Sequence, residues 1–383
     1  MLIVCGKANY TNLSRYSDLS ERTYRRHYNR GIGFETINQR LIEAHGSSRG
    51  VQIGVIDCTF AEKSGRHTPG LDWFYNGKTQ QTQKGLEWSV IGVVDLDQHT
   101  SYGLSAQQTE AGLAARAQAA KENGQSAGNR VDFYLGHLAY CRCFLPKSVK
   151  HLVGDLFYSK LKWVTGVRAL GLHPIGKLRQ DANVNYLYNG PQSSGPGRKK
   201  KYAGKVDWSK PDFRRLRLQE TLEDGTELYS AVVWSVAFKC KIHLVYLLKT
   251  NKPRQRSYIL LFSTDLDLSA LDIYRFYSAR FQIEFVFRDA RQFTGMNDSQ
   301  ARSPEALDTQ VNASLTALNL AKAALRPTHL KDQPISFSLA SLKRRAHNEQ
   351  MLERFILNFG LDPSLIKSTP EWSDLCQYGA ITS

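Results

Sequence analysis

Three acids far apart in the chain, Asp57, Asp155 and Glu284, stand at positions from which carboxylates can converge. Asp57 closes the apolar run VQIGVID and Asp155 follows KHLVG, so each sits at the end of a predicted buried strand. Glu284 lies in SALDIYRFYSARFQIEFVFRDARQF, residues 269–293, which lacks Gly and Pro and predicts one long helix capped by Ser269. At about 100° per residue, Tyr277, Arg280, Glu284 and Arg291 share a sector roughly 60° wide. Apolar residues border that polar stripe on both flanks, which predicts a packed helix with Glu284 in a crevice. Three converging carboxylates suit hard divalent cations, which take oxygen ligands and keep positions open for water and phosphate. Two such ions about 4 Å apart promote in-line displacement at phosphorus. Plainer readings stand beside this one. The stripe also fits a buried ion-pair network, strand-terminal acids also cap or stay solvated, and Asp95 or Asp97 competes for the first position, Asp97 fitting best as a hairpin cap.

The elements that position these acids follow from pattern. Residues 10–46 read as short helices, with Ser20 capping one over Glu21 to Asn29 and another over Phe34 to His45. Arg22, Arg25 and Arg26 stud the first, as in a helix-turn-helix recognition helix or a solvated basic helix. After the strand ending at Asp57, CTFAEKSGRHTPG reads as a loop, and 88–97 and 100–107 read as strands joined around Gln98 and His99. A helix follows over Arg130 to Phe144, then the strand leading to Asp155, and a strand at 173–179. Residues 190–217 carry nine Lys or Arg, including Arg198, Lys199, Lys200 and Lys201, against two Asp, a net of +7. Strand-like runs follow up to the long helix, which makes this region a basic, β-rich insertion. Beyond the helix lie an Ala/Leu-rich helical run and a short, irregular tail.

At 383 residues and 42% hydrophobic content the chain can bury a large core. Its formal charge of +16 points to a polyanion, nucleic acid first and anionic membrane second. Six scattered cysteines without CxxC spacing argue against a zinc module and a disulfide framework. No apolar run reaches the roughly 18 residues of a membrane span, and the start is too soon polar for a secretory signal. A soluble, intracellular protein is expected.

The spacing Tyr277, two residues, Arg280, three residues, Glu284, six residues, Arg291 resembles the tyrosine-arginine-glutamate-lysine signature of the DDE transposases of bacterial insertion sequences. RFQIEFVFRDARQFTG, IDCTFAEKSGRHTPG around Asp57 and GDLFYSK around Asp155 resemble that family's blocks in the right order, over about residues 10–325. The resemblance implies an α/β fold: an RNase H-like mixed sheet flanked by helices, interrupted by a β-rich insertion, with a small helical N-terminal segment. The corresponding division is 1–50 helical DNA-binding segment, 51–180 first part of the core, 181–265 basic insertion, 266–330 second part of the core, and 331–383 C-terminal tail.

The resemblance further implies Asp57, Asp155 and Glu284 as catalytic ligands of two Mg²⁺ ions, with Mn²⁺ as a substitute. Arg280 would contact DNA phosphate with Tyr277 beside it, and Arg291 takes the place of the signature lysine. Arg198, Lys199, Lys200, Lys201, Arg22, Arg25 and Arg26 are further candidates for DNA binding, and Lys63, Ser64, Arg66 and His67 for strand contact. Trp234 and Tyr229 are candidates to stack on a flipped base. The implied activity is cut-and-paste transposition by hydrolytic end cleavage, hairpin formation and strand transfer, on transposon ends and target duplex. It implies a homodimer in the synaptic complex and a cytoplasmic, nucleoid-associated location in a bacterium. Only 56 residues precede Asp57, so either the short helices bind ends with help from the insertion, or the reading frame is truncated. The alternatives are a transposase-derived DNA-binding protein without catalysis and a nuclease acting on RNA–DNA hybrids.

Overall fold

The structure, a computed structural model, describes residues 1–383 apart from 48–49, 66, 126, 193, 196, 253–254, 326–337 and 382–383, and without the side chains of 250–252 and 255–256. Three helices come first, α1 (Tyr10–Arg15), α2 (Glu21–Tyr28) and α3 (Phe34–His45). Ser20 caps α2 by accepting from the Thr23 amide, the role its position predicts. The first strands are β1 (Gln52–Glu62), β2 (Asp72–Asn76), β3 (Gln81–Asp95) and β4 (Thr100–Gln108). The expected loop after Asp57 is therefore partly strand. β1 runs five residues past the acid because its register with β3 continues to Glu62 opposite Gly85.

Helices α4 (Leu113–Glu122) and α5 (Arg130–Cys141) lead to β5 (His151–Val153), a 3₁₀ turn at Leu156–Tyr158, α6 (Leu161–Ala169) and β6 (His173–Leu178). The segment that follows supplies β7 (Val184–Leu187), β8 (Tyr202–Lys205), β9 (Arg217–Thr221), β10 (Glu227–Ser235), β11 (Cys240–Lys252) and β12 (Gln255–Ser263). Helices α7 (Ala270–Ala279), α8 (Gln282–Phe293) and α9 (Pro304–Ala324) come next, and α10 (Leu339–Asn358), α11 (Pro363–Lys367) and α12 (Pro370–Gln377) complete the chain. Two expectations are corrected here. The long helix over 269–293 breaks at Arg280–Phe281 into α7 and α8, and the tail is largely helical instead of irregular.

The strands form one sheet in the order β2-β3-β1-β5-β6-β12-β11-β10-β7-β8, with β4 also on β3 and β9 on β10. β1, β5 and β6 are mutually parallel, and the other pairings are antiparallel. The β-rich segment extends this sheet through the β6–β12 pair.

Strand alternation assigns side chains to the two faces. Ile53 and Val55 join Trp88 and Val90 under Phe276, Ile283, Val286 and Leu315 of the late helices. Ile56, Ile91 and Val93 face Ile42, Leu138, Trp163 and Val167. By the same alternation Asp57 and Thr59 project to the side of α7 and α8, and Cys58 to the side of α5.

β4 has β3 on one side, and α9 covers part of its outer edge. Asn312 accepts from the Ala106 amide at 2.8 Å and donates to the Ala106 carbonyl at 2.9 Å. One turn pair later, Asn319 accepts from the Gly103 amide and donates to the Gly103 carbonyl and to Asn38. These buried amides stand in for a missing strand. Asn319→Leu strips the Gly103 groups of partners and should cost about 1–3 kcal/mol, read as a lower midpoint in chemical denaturation at unchanged slope.

Candidate active site

β1 and β5 lie side by side in parallel, with Gly54 opposite Leu152 and Val55 opposite Val153. Two residues beyond that pair come Asp57 and Asp155, so adjacent strands, about 4.8 Å apart, deliver both acids at the same level. Asp155 turns its carboxylate back to accept from the Phe157 amide at 2.9 Å, which caps the 3₁₀ turn. Both acids line a cleft of about 1240 Å³ together with Glu284, Arg288, Arg291, Glu87 and Arg130.

Glu284 sits in the first turn of α8, its side chain 45% exposed. Between it and Asp57 stands Arg280, at the junction of α7 and α8 and only 16% exposed. Its Nη1 donates to Asp57 Oδ2 at 2.8 Å, and its Nη2 lies 3.7 Å from Glu284 Oε1. The ring of Tyr277 lies 5.9 Å from the guanidinium. The Nε of Arg280 is buried with no hydrogen-bond partner among the described residues. Arg280 thus sets a cation between Asp57 of β1 and Glu284 of α8. Arg291 donates to Thr59 Oγ1, and to the Phe60 carbonyl at 3.3 Å, which ties α8 to β1 beyond the acids.

The electrostatics follow from burial. Desolvation pushes the Asp57 carboxyl up to about 6, against the opposing pull of Arg280 and with help from Asp155. Desolvation also raises Asp155, again opposed by Arg280. Burial thus holds both acids above the ordinary carboxylate range against the pull of Arg280.

Sequence reasoning missed several residues of the cleft. Tyr75, Asn76, Gly77 and Lys78 form one wall, and Arg130 and Phe157 belong to its lining. Lys160 lies 3.5 Å from the centre of the Phe157 ring. Glu87 is buried and accepts from Tyr134 and Thr109 hydroxyls at 2.7 and 2.9 Å. An acid mid-strand in EWSVIGVVD gave no sequence signal of this.

Other candidates lie elsewhere. Asp95, five residue pairs along β1–β3 from Asp57, accepts from the Ser47 and Gln98 amides and so caps the hairpin in place of Asp97, which instead accepts from the Val51 amide. Lys63 donates to the Asn297 and Ser299 carbonyls, and Ser64 and His67 line a separate hollow with Arg302. Arg66 lies outside the described residues. Arg22, Arg25 and Arg26 are on α2, where Arg25 pairs with Glu21 at 2.5 Å and covers the Tyr10 ring. Arg198, Lys199, Lys200 and Lys201 are exposed just before β8, at the opposite end of the sheet from β2. Tyr229 and Trp234 pack on Phe213 and Tyr202, and neither lines the cleft.

This is a mixed α/β protein of charge +16 whose acidic cleft is rimmed by arginine and lysine. The chain belongs to the transposase DDE domain family, whose sequence profile matches residues 92–320. The matched span contains Asp155 and Glu284 and begins after Asp57. A search of curated proteins gave no match. No helix among the described residues is long and apolar enough to cross a membrane.

DDE transposases generally use divalent metal ions. The donors suit one in chemistry: two hard carboxylates in register, both raised by burial, beside an arginine with an orphaned Nε. The third donor is not assembled with them, and among the described residues no group of three or more His, Cys, Asp and Glu side chains is placed to hold a metal ion. The guanidinium of Arg280 bridges the acids instead.

Proposed function

We propose that this protein is a DNA transposase of the branch with the tyrosine-arginine-glutamate-lysine signature, and that it catalyses cut-and-paste transposition by end cleavage, hairpin formation and strand transfer. The observation that carries the reading is the register of β1 and β5, which delivers Asp57 and Asp155 side by side into a cleft that Glu284 also lines. The order β4-β3-β1-β5-β6, three antiparallel strands followed by two parallel to β1, supports an RNase H-like core. That core comprises 51–180 and 266–330 around the insertion 181–265, with 1–50 as a DNA-binding segment and 331–383 as a C-terminal extension.

Asp57 and Asp155 would hold two Mg²⁺ or Mn²⁺ ions, and Glu284 would join them if Arg280 left Asp57. A bound divalent ion supplies Lewis-acid polarisation at phosphorus and a nucleophile at neutral pH. The chain's own groups do the rest. Arg280, released, pairs with the phosphate beside the cut, Tyr277 limits its swing, and Arg291 keeps α8 against β1 so that Glu284 stays on the cleft. Two coordinated cuts call for a synaptic homodimer.

Incubation of end-bearing duplex with the protein and Mg²⁺ tests the reading. Nicks with 3′-hydroxyl ends are expected, and an intact duplex over a range of Mg²⁺ and Mn²⁺ concentrations would sink it. The Arg280–Asp57 pair favours one second reading, a transposase-derived protein that binds DNA without cutting, and the same assay separates the two.

Arg198, Lys199, Lys200 and Lys201 track backbone phosphate in this reading. Replacing all four with alanine should flatten the log–log salt dependence of duplex binding by about 3 to 4 units, measured by anisotropy titration.

A further inference from the structure

We infer that the β2–β3 hairpin is a stacking platform for unpaired DNA at the mouth of the acidic cleft. On the outer face of β2, Trp73 is 60% exposed and Tyr75 57% exposed, and neither ring packs on another ring or a cation among the described residues. They are two residues apart on a strand, so both rings point the same way, about 7 Å from one to the next. Their partners across the ladder are Lys84 and Thr82, exposed on that same face. Two aromatics left more than half exposed beside a lysine gain less for folding than buried rings do, since burial is what makes such rings stabilising.

The hairpin is also held firmly. Phe74, between the two rings, is fully buried under the Arg130 guanidinium, which donates to the Trp73 carbonyl at 3.2 Å. Asn76 donates to Gln83 across the ladder at 2.6 Å, and Asp72 accepts from the Gly112 amide at 2.9 Å. The platform is preorganised, so binding costs little ordering.

Its occupant follows from chemistry and place. Tyr75 and Lys78 line the same cleft as Asp57, Asp155 and Glu284, so the platform is continuous with the acids. Rings that offer flat faces, with Lys78 and Lys84 for backbone charge, are the combination that holds single-stranded nucleic acid without sequence preference. A paired duplex cannot offer its base faces to these rings, whereas a strand frayed or freed at the cleft can. The inference rests on the DNA-cleaving reading for its substrate, and its test does not need cleavage.

The test is anisotropy binding of a labelled mixed-sequence 12-mer, single-stranded and duplex, in chelator. Trp73→Ala and Tyr75→Ala should each weaken single-strand binding roughly tenfold, with the salt slope unchanged and duplex binding within about twofold. Tyr75→Phe should bind as the parent does. Lys78→Ala with Lys84→Ala should lower the single-strand salt slope by about 1.4 units. Single-strand binding by the Trp73→Ala/Tyr75→Ala double variant equal to the parent's overturns the inference, with a thermal melt to show that the variant is folded. So does sedimentation in which the parent self-associates and the double variant does not, because the exposed edge of β2 then joins copies of the chain. Parent cleavage of end-bearing duplex is scored separately: cutting without the single-strand effect defeats the platform alone, and the effect without cutting defeats the transposase reading alone.

Discussion

Asp57→Asn and Asp155→Asn should each abolish strand cleavage, a loss on the order of 10³-fold or more, while duplex binding should stay within about twofold of the parent. The size follows from what each carboxylate does. The β1–β5 register gives the cleft two hard oxygen donors at one level, and an amide in either place offers one neutral oxygen and no charge. Binding should survive, because lysines and arginines distributed over the chain, whose charge exceeds that of the acids by 16, would hold the duplex. Glu284→Gln should fall in the same range, since α8 carries Glu284 to the same cleft. Single-turnover cleavage of a labelled end-bearing duplex measures the loss. A variant that cuts at the parent rate removes that acid from the chemistry, and one that also fails to bind shows that its role was structural.

Both aspartates were legible as acids that close apolar runs, which placed Asp155 just past β5, but Asp57 lies in the middle of β1, because pairing with β3 carries that strand on to Glu62. Glu284 was readable through helical period. The break at Arg280–Phe281 was not: both residues keep right-handed helical dihedrals, and neither is a helix breaker by type. At this junction the backbone amides of Phe281, Ile283 and Glu284 bond to the carbonyls of Ser278, Arg280 and Phe281, a tighter turn than the α-helix, and Arg280 there pairs with Asp57. Helix α6 escaped notice for a related reason, since Gly166 sits in its middle and lowers its intrinsic preference. A Cβ there would stand 2.7 Å from Leu135 Cδ2, so the glycine serves the close approach of α6 to α5, which only the assembled core can express. β2 is five residues long, and its alternation exposes Trp73 and Tyr75 while burying Phe74. The pattern runs aromatic throughout and hides which face is inside.

Asp57→Asn should also make the protein more stable in chelator at pH 7.5, by about 1–3 kcal/mol, or roughly 2 °C in melting temperature for a chain of this length. The folded-state pKa of Asp57 is pushed up to about 6, chiefly by burial and against the pull of Arg280, whereas an unfolded aspartate titrates near 3.9. A raised pKa means that the folded state holds the proton more tightly. The stability this gives is fully present below about pH 4 and is lost as pH rises through about 6, where the buried carboxylate must ionise. Asparagine never ionises, so its advantage should be absent near pH 4 and complete by pH 7. The parent's own pH profile mixes several groups. Asp308, also raised to about 6 by burial, acts in the same sense, while buried His137, lowered to about 3, acts in the opposite sense. Subtracting the parent's curve from the variant's cancels both, because neither group touches Asp57; Asp155 does not cancel, since losing its charged neighbour eases its own ionisation and adds to the variant's lead as pH rises. Adding Mg²⁺ should shrink the variant's lead, since a ligand that binds only the intact acid pair stabilises the parent through mass action. A lead that is negative in chelator at pH 7.5 would mean that the Arg280–Asp57 pair outweighs burial. A lead indifferent to Mg²⁺ would mean that the acids bind no ion.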